Sequence, residues 1–307
     1  MQLALVVAGA PLLAGWVKSV KARLQNRRGP GPLQPYRDLR KLFMKQVLVA
    51  DSASIVFRAA PYVVFTSTLL ATAAVPLAVR DLPTAPVADI MVVVGLLALG
   101  RFFLALAGMD VGTAFGGMGA SREMLISALA EPATLMAIFT LTMSAHSTNL
   151  STVVGFQLTQ GLVLHPSYLF ALMGLVLVAV AETGRIPVDN PATHLELTMV
   201  HEAMILEYSG RHLALMEWAA WLKLTLYGVL IANVFFPWGI GETTDPGAFG
   251  IGLAVIVAKL ALLGLALAVS ETVLAKMRLF RVPQYLNLAF LFALLGMLSF
   301  LILEVAA

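Results

Sequence analysis

AETGRIPVDNPATHLELTMVHEAMILEYSG, running from Ala181 to Gly210, is a polar island in a chain that is 60% apolar. It places Glu182, Arg185, Asp189, His194, Glu196, His201, Glu202 and Glu207 between two hydrophobic runs. Charges beside lipid are tolerated where they face protein or a water-filled cavity, because an unsatisfied polar group in hydrocarbon is costly. Its five carboxylates, two histidines and single arginine suit a proton path or a docking surface for a basic partner. The plain alternative is a solvated loop between helices.

The surrounding sequence decides what kind of fold carries this island. The 307 residues have a mean hydropathy of +0.89 and only 12% are charged, too little polar surface for a soluble domain of this length. Apolar runs near residues 2–17, 61–79, 87–108, 122–145, 166–182, 213–236, 250–270 and 285–304 give eight candidate spans. The expected fold is an all-α membrane protein, one integral domain over residues 1–307. Eight transmembrane helices carry a cytoplasmic amphipathic helix after the first and a long charged cytoplasmic loop between the fifth and sixth. The first run has its lysines after it, the reverse of a cleavable signal peptide, so it reads as a retained helix. With no cysteine, the chain itself holds no thiolate-ligated iron–sulfur cluster, cysteine-bound nickel–iron centre or disulfide. A redox centre would belong to a partner.

The net charge is +3, but placement matters more than size. The loop after the first span carries Lys18, Lys21, Arg23, Arg27, Arg28, Arg37, Arg40, Lys41, Lys45 and Arg58. Lys276, Arg278 and Arg281 follow the seventh span, and Arg185 and Arg211 lie in or beside the central stretch. Eight spans put all of these on one side, with Arg80 alone opposite, and the positive-inside rule makes that basic side cytoplasmic. The expected location is therefore the cell inner membrane, with both termini outside.

Inside the first loop, Arg27-Arg28-Gly29-Pro30-Gly31-Pro32 reads as an extended turn. Gln34-Pro35 then opens a helical pattern with Tyr36, Leu39, Leu42, Phe43 and Val47 on one face and Arg37, Arg40, Lys41 and Lys45 around the rest. A basic amphipathic helix of this kind either lies on lipid headgroups or grips a cytoplasmic partner. After the third span, the glycine-rich segment from Asp110 to Glu123 allows close backbone approach or positive φ, and lacks the Gly-Lys-Ser/Thr of a phosphate loop. Ser121 is the expected cap of the fourth span, with Glu123 in its first turn.

Arg101, Glu131, Lys223 and Lys259 fall inside spans, and Glu182 and Glu271 at the inner ends of the fifth and seventh. Single pairs of this sort are often structural, but six in one bundle favour a connected hydrophilic route. His201-Glu202 starts like a zinc-protease helix, yet Ile205 stands where the second histidine belongs. No metal site is expected, and no histidines sit at matched depth for haem.

Two motifs resemble those of a known family: KARLQNRRGPGPLQPYRDLRKLFMK from Lys21 to Lys45, and the central stretch with AETGRIPVD and EYSG at its ends. The family is subunit 1 of respiratory complex I and its relatives in membrane-bound energy-converting hydrogenases. The short loop reading QPYRDLRKL, with GTAFGGMGASREM and AEP further on, is similar to the hydrogenase and formate hydrogenlyase branch. The family's PFD is Pro187-Val188-Asp189 here; in the acidic run that follows, Glu196 matches, and Glu202 and Glu207 stand in for others.

The resemblance implies a membrane anchor and coupling subunit that docks a hydrophilic redox arm and links its electron transfer to proton translocation. Implied partners are a hydrogenase-like large subunit, a small iron–sulfur subunit, antiporter-like membrane subunits and the lipid bilayer, with no nucleic acid. Iron–sulfur clusters, with or without a nickel–iron centre, belong to those partners; none of these, and no catalytic residue, is expected in this chain. The implied proton path is Glu123, Glu131, Glu182, Asp189, Glu196, Glu202, Glu207, Lys223 and Lys259. Partner docking falls to Arg27, Arg28, Gln34, Tyr36, Arg37, Asp38 and Arg185. Two other readings stay open: a quinone-site subunit of an NADH:quinone oxidoreductase, and a stand-alone secondary transporter.

Overall fold

Apolar runs of 20 residues or more can satisfy their backbone in lipid only by coiling into helices. The computed structural model describes residues 2–80, 88–160, 165–189, 199–241 and 246–303. Its helices are α1 (Gln2–Leu24), α2 (Gln34–Met44), α3 (Ile55–Ala74), α4 (Ile90–Asp110), α5 (Ala114–Ser144), α6 (Leu150–Gln160), α7 (Pro166–Glu182), α8 (His201–Ile205), α9 (Gly210–Leu230), α10 (Pro246–Val273) and α11 (Val282–Leu303). Among the described residues there is no β-strand, only two isolated bridges, Val79 with Gly241 and Asp89 with Asn149. Among the described residues, seven helices are long and apolar enough to cross a membrane: α1, α3, α4, α5, α9 with its π turn, α10 and α11. The predicted fifth span corresponds to α7, apolar but only 17 residues long.

Short polar residues set several helix starts. The Ser54 hydroxyl accepts from the Val56 amide at the start of α3, and Asp110 at the end of α4 accepts from both the Ser54 amide and its hydroxyl at 2.8 and 2.7 Å. Asp89 caps α4 through the Met91 amide at 2.8 Å. These contacts fasten neighbouring helix ends as well as satisfying orphan amides.

Four local expectations change. Lys18, Lys21 and Arg23 belong to the last turns of α1 rather than to a loop, since long basic side chains can extend from a helix end while their stems stay packed. The cap of α5 is Thr113, which accepts from the Gly116 amide, so the helix starts seven residues before Ser121 and Glu123 lies well inside it. Glycine permits that early start: Gly112 turns at φ +75°, and a Cβ on Gly116 would sit 2.0 Å from the Gly108 carbonyl oxygen. The amphipathic helix α2 ends at Met44, leaving Val47 beyond it. Helix α6 stands where an outer loop was expected.

Helix α9 is the most enclosed of these spans. Its apolar segment is 72% buried against 22% for α10, which leans mainly on α1. Helices α1, α2 and α3 pack against α9 and α4 packs on α3, while α5, α7 and α11 form a second packed set. Polar groups carried on α4, α5, α7 and α9 therefore meet in the interior.

Candidate functional site

Arg101 lies midway along α4 and is almost fully enclosed. An unpaired guanidinium there would be costly, and two carboxylates answer it. Nη2 is 2.6 Å from Oε1 of Glu131 on α5, and Nη1 pairs with Oε1 of Glu182 at the end of α7. The Lys223 ammonium on α9 stands 2.8 Å from the other Glu182 oxygen. Ser127, one turn before Glu131, donates to the Glu131 carboxylate at 2.9 Å. Two cations and two anions thus form a neutral quartet spanning four helices. Its carboxylates differ in access: the Glu182 side chain is 1% exposed and that of Glu131 34%.

Towards the basic end, a second cluster joins α1, the central stretch and α10. Glu271 accepts from Lys21 at 2.7 Å and from Arg185 at 3.4 Å, while Lys276 donates to Asp189 at 2.8 Å. A cavity of about 530 Å³ connects the two clusters. It runs from Gln25 and Pro30 of the first loop inward to Leu97 and Arg101. Six carboxylates line it, Glu123, Glu182, Asp189, Glu202, Glu217 and Glu271, and His201 joins them with its buried Nε2 unpartnered. Its basic residues are Lys18, Lys21, Arg101, Arg185 and Lys223. A polar cavity of this size admits water, which can link groups too far apart for direct contact.

Both signature motifs meet at this end. The Ser209 hydroxyl of EYSG accepts from the Leu48 amide at 2.8 Å and donates to the Leu48 carbonyl at 3.0 Å, tying the segment after α2 to the start of α9. Tyr208 stacks on Phe57 with ring centroids 4.0 Å apart, and its hydroxyl donates to the Phe57 carbonyl at 2.8 Å. Burial pushes the Tyr208 phenol well above its ordinary pKa, so it stays protonated and serves as a pin.

The family described as NADH dehydrogenase matches residues 1–304. The chain belongs to that family. Formate hydrogenlyase subunit 4 of Escherichia coli (strain K12) is 35% identical over 305 residues, covering 98% of this chain and 97% of the relative. Hydrogenase-4 component C of the same organism is 33% identical over 286 residues, covering 93% and 90%. A solved structure of the membrane-bound sulfane sulfur reductase, an archaeal respiratory membrane complex, shares the fold: TM-score 0.82 at 19% identity, covering 96% of each chain. With seven helices fit to cross a bilayer and relatives of this kind, this member of the NADH dehydrogenase family is a multi-pass membrane protein.

Within this family member, the expected path residues divide four ways. Glu123, Glu182, Asp189, Glu202 and Lys223 line the cavity, and Glu131 joins it through Arg101. Glu207 is exposed and outside the cavity lining. Lys259 points elsewhere: its ammonium donates to the Ala232 and Phe236 carbonyls at 3.4 and 2.5 Å, around the π turn Ile231–Phe235. Glu196 and His194 lie outside the described residues.

The expected docking residues also divide. Arg27, Arg28 and Arg37 are exposed, and Gln34 donates to Asp38 at 2.9 Å. The Tyr36 hydroxyl donates to the Ala8 carbonyl of α1, and Arg185 is buried on Glu271. Glu217 on α9 was missed, although a carboxylate near the start of the sixth expected span was the signal that could have found it.

Proposed function

We propose that the chain is the membrane anchor and coupling subunit of a multi-subunit respiratory or hydrogenase-type complex, linking electron transfer in docked partners to proton translocation. The observation that carries this reading is the charged quartet at the inner end of a cavity that opens by the first loop. Similarity over nearly the whole chain to formate hydrogenlyase subunit 4 and hydrogenase-4 component C supports it. In this reading α7 is the eighth span, and the basic end faces the cytoplasm from the inner membrane. A hydrogenase-like large subunit and a small iron–sulfur subunit dock there, and their clusters carry the electrons. Antiporter-like subunits sit alongside in the membrane.

Protons enter through Glu202, Asp189 and Glu217 and reach Glu182 by way of cavity water. Glu182 holds two cations at once, so neutralising it releases both Arg101 and Lys223 to seek other partners. That exchange is how a local charge change becomes a displacement of helices α4 and α9. Lys259 and Glu207 lie off this route, at the π turn and on the surface.

The test is Glu182→Gln in the assembled complex, reconstituted in liposomes. Electron transfer between partners should continue with assembly intact, while proton movement per electron falls at least severalfold. Loss of assembly, or unchanged proton movement, would reduce Glu182 to a packing residue. Inhibition of the purified complex by quinone-site blockers would favour the quinone reading instead, and transport by this chain alone would favour the transporter.

A further inference from the structure

A second cavity, of about 290 Å³, lies beside the first, between α1, α7, α9 and α10. Its walls are apolar, with Leu13, Val176, Leu260 and Leu267 among them and Tyr227 on the side nearest the quartet, one helical turn beyond Lys223. Small residues leave the space open: Ala179, Gly228, Gly264 and Ala266 all line it. Val176 and Ala266 are also exposed on the outside of the bundle, so the cavity is a cleft with a lateral mouth. The weak packing of α10 against α9 accounts for that mouth.

At its other end the cleft meets the polar cavity. Val17 and Thr183 line both. Lys18, next to Val17, lines the polar cavity and is exposed, and its ammonium forms no ion pair among the described residues. Lys21, one turn on from Val17, is held by Glu271. An apolar cleft open to the bilayer and ending beside a free cation fits an amphiphile with an anionic head. Leaving the cleft empty would forfeit dispersion contacts along its whole lining, and acyl chains are the surrounding apolar material. Basic pockets between spanning helices favour anionic headgroups for the same electrostatic reason.

We propose that this cleft holds one acyl chain of an anionic phospholipid, with the phosphate at Lys18. The chain enters past Ala266 and Val176, lies along Leu260 and Leu267, and walls Tyr227 off from the bilayer. The site follows from the packing of α10 and the placement of Lys18, and stands independently of the coupling role.

The assembled complex, purified and exposed in turn to phosphatidylglycerol and phosphatidylcholine, is read by native mass spectrometry. Wild type should retain one phosphatidylglycerol more than Ala266→Trp, whose indole occupies the mouth. Lys18→Gln, on an exposed side chain, should lower phosphatidylglycerol retention severalfold and leave phosphatidylcholine unchanged; it decides alone if the tryptophan variant does not assemble. Equal retention by wild type and Lys18→Gln overturns the proposal. So does equal retention of the two lipids by wild type, or recovery of an isoprenoid quinone in place of the phospholipid.

Discussion

Arg101→Met removes the one side chain that touches both carboxylates of the quartet. Methionine roughly keeps the length and the packing of the stem but deletes the charge. Glu182 retains Lys223 at 2.8 Å, whereas Glu131 keeps only the Ser127 hydroxyl at 2.9 Å among the contacts described above. The quartet then carries one uncompensated negative charge. Breaking a buried pair by removing one partner costs about 3–5 kcal/mol. The lower end, about 3 kcal/mol, applies because Glu131 is a third exposed and partly screened. Adding Glu182→Gln restores neutrality, leaving Lys223 and Glu131 as the only charges. The double variant should therefore recover about 1.5 kcal/mol relative to the sum of the single changes, within the range seen for residues sharing a network. The assay is the heating midpoint of the purified complex, followed by loss of the monodisperse peak in size-exclusion chromatography. The expected order is wild type highest, the single variants next and the double variant lowest, yet about 1.5 kcal/mol more stable than the sum of the two single changes. A double variant no more stable than the sum of the two single changes would refute the view that charge balance holds these four helices together.

Other changes isolate single contacts. Glu131→Gln should cost less than Glu182→Gln in stability, about 1 kcal/mol or below, because its carboxylate is partly open to solvent; the same heating assay checks it. Asp110→Ala withdraws both acceptors from Ser54 and should cost about 1 kcal/mol, seen as faster hydrogen exchange at the start of α3 with α9 unaffected. Ser209→Ala removes both contacts to Leu48 and should raise amide exchange at Leu48 roughly fivefold, the equivalent of about 1 kcal/mol. Lys259→Met should loosen exchange protection in Ile231–Phe235 while proton movement per electron stays at the wild-type value; a drop would place Lys259 on the route.

Hydropathy was enough to read the class, because a span long enough to cross a bilayer is an uninterrupted signal along the chain. Charges inside the spans were visible for the same reason: Arg101, Glu131 and Lys223 stand out against their neighbours. What the sequence leaves open is partnership. Lys259 has the same local look as Lys223, yet one meets a carboxylate and the other two backbone carbonyls, a difference set by the π turn at the end of α9. Arg185 reads as a surface charge beside a turn and is instead buried by α10, 86 residues further on. The start of α5 was misplaced because Ser121 and Thr113 are both good caps. The choice between them depends on how closely Gly116 can approach Gly108, which no local pattern states.

The two clusters also differ in what a change at either would move. The quartet ties α9 to the packed run of α4, α5 and α7, so altering it shifts interior side chains where those helices meet. The Lys21–Glu271–Arg185 cluster fastens α10, which otherwise leans on α1 and little else. Neutralising Glu271 would release the inner end of that helix from both α1 and the central stretch at once. The same stretch supplies Asp189 to Lys276 just beyond α10. A partner pressing on the central stretch would therefore act on α10 through these ion pairs, and on the quartet through Glu182, only three residues before Arg185. Both consequences follow from one short segment, residues 182–189, in which the end of α7 and two ion-paired residues stand within a few positions of each other.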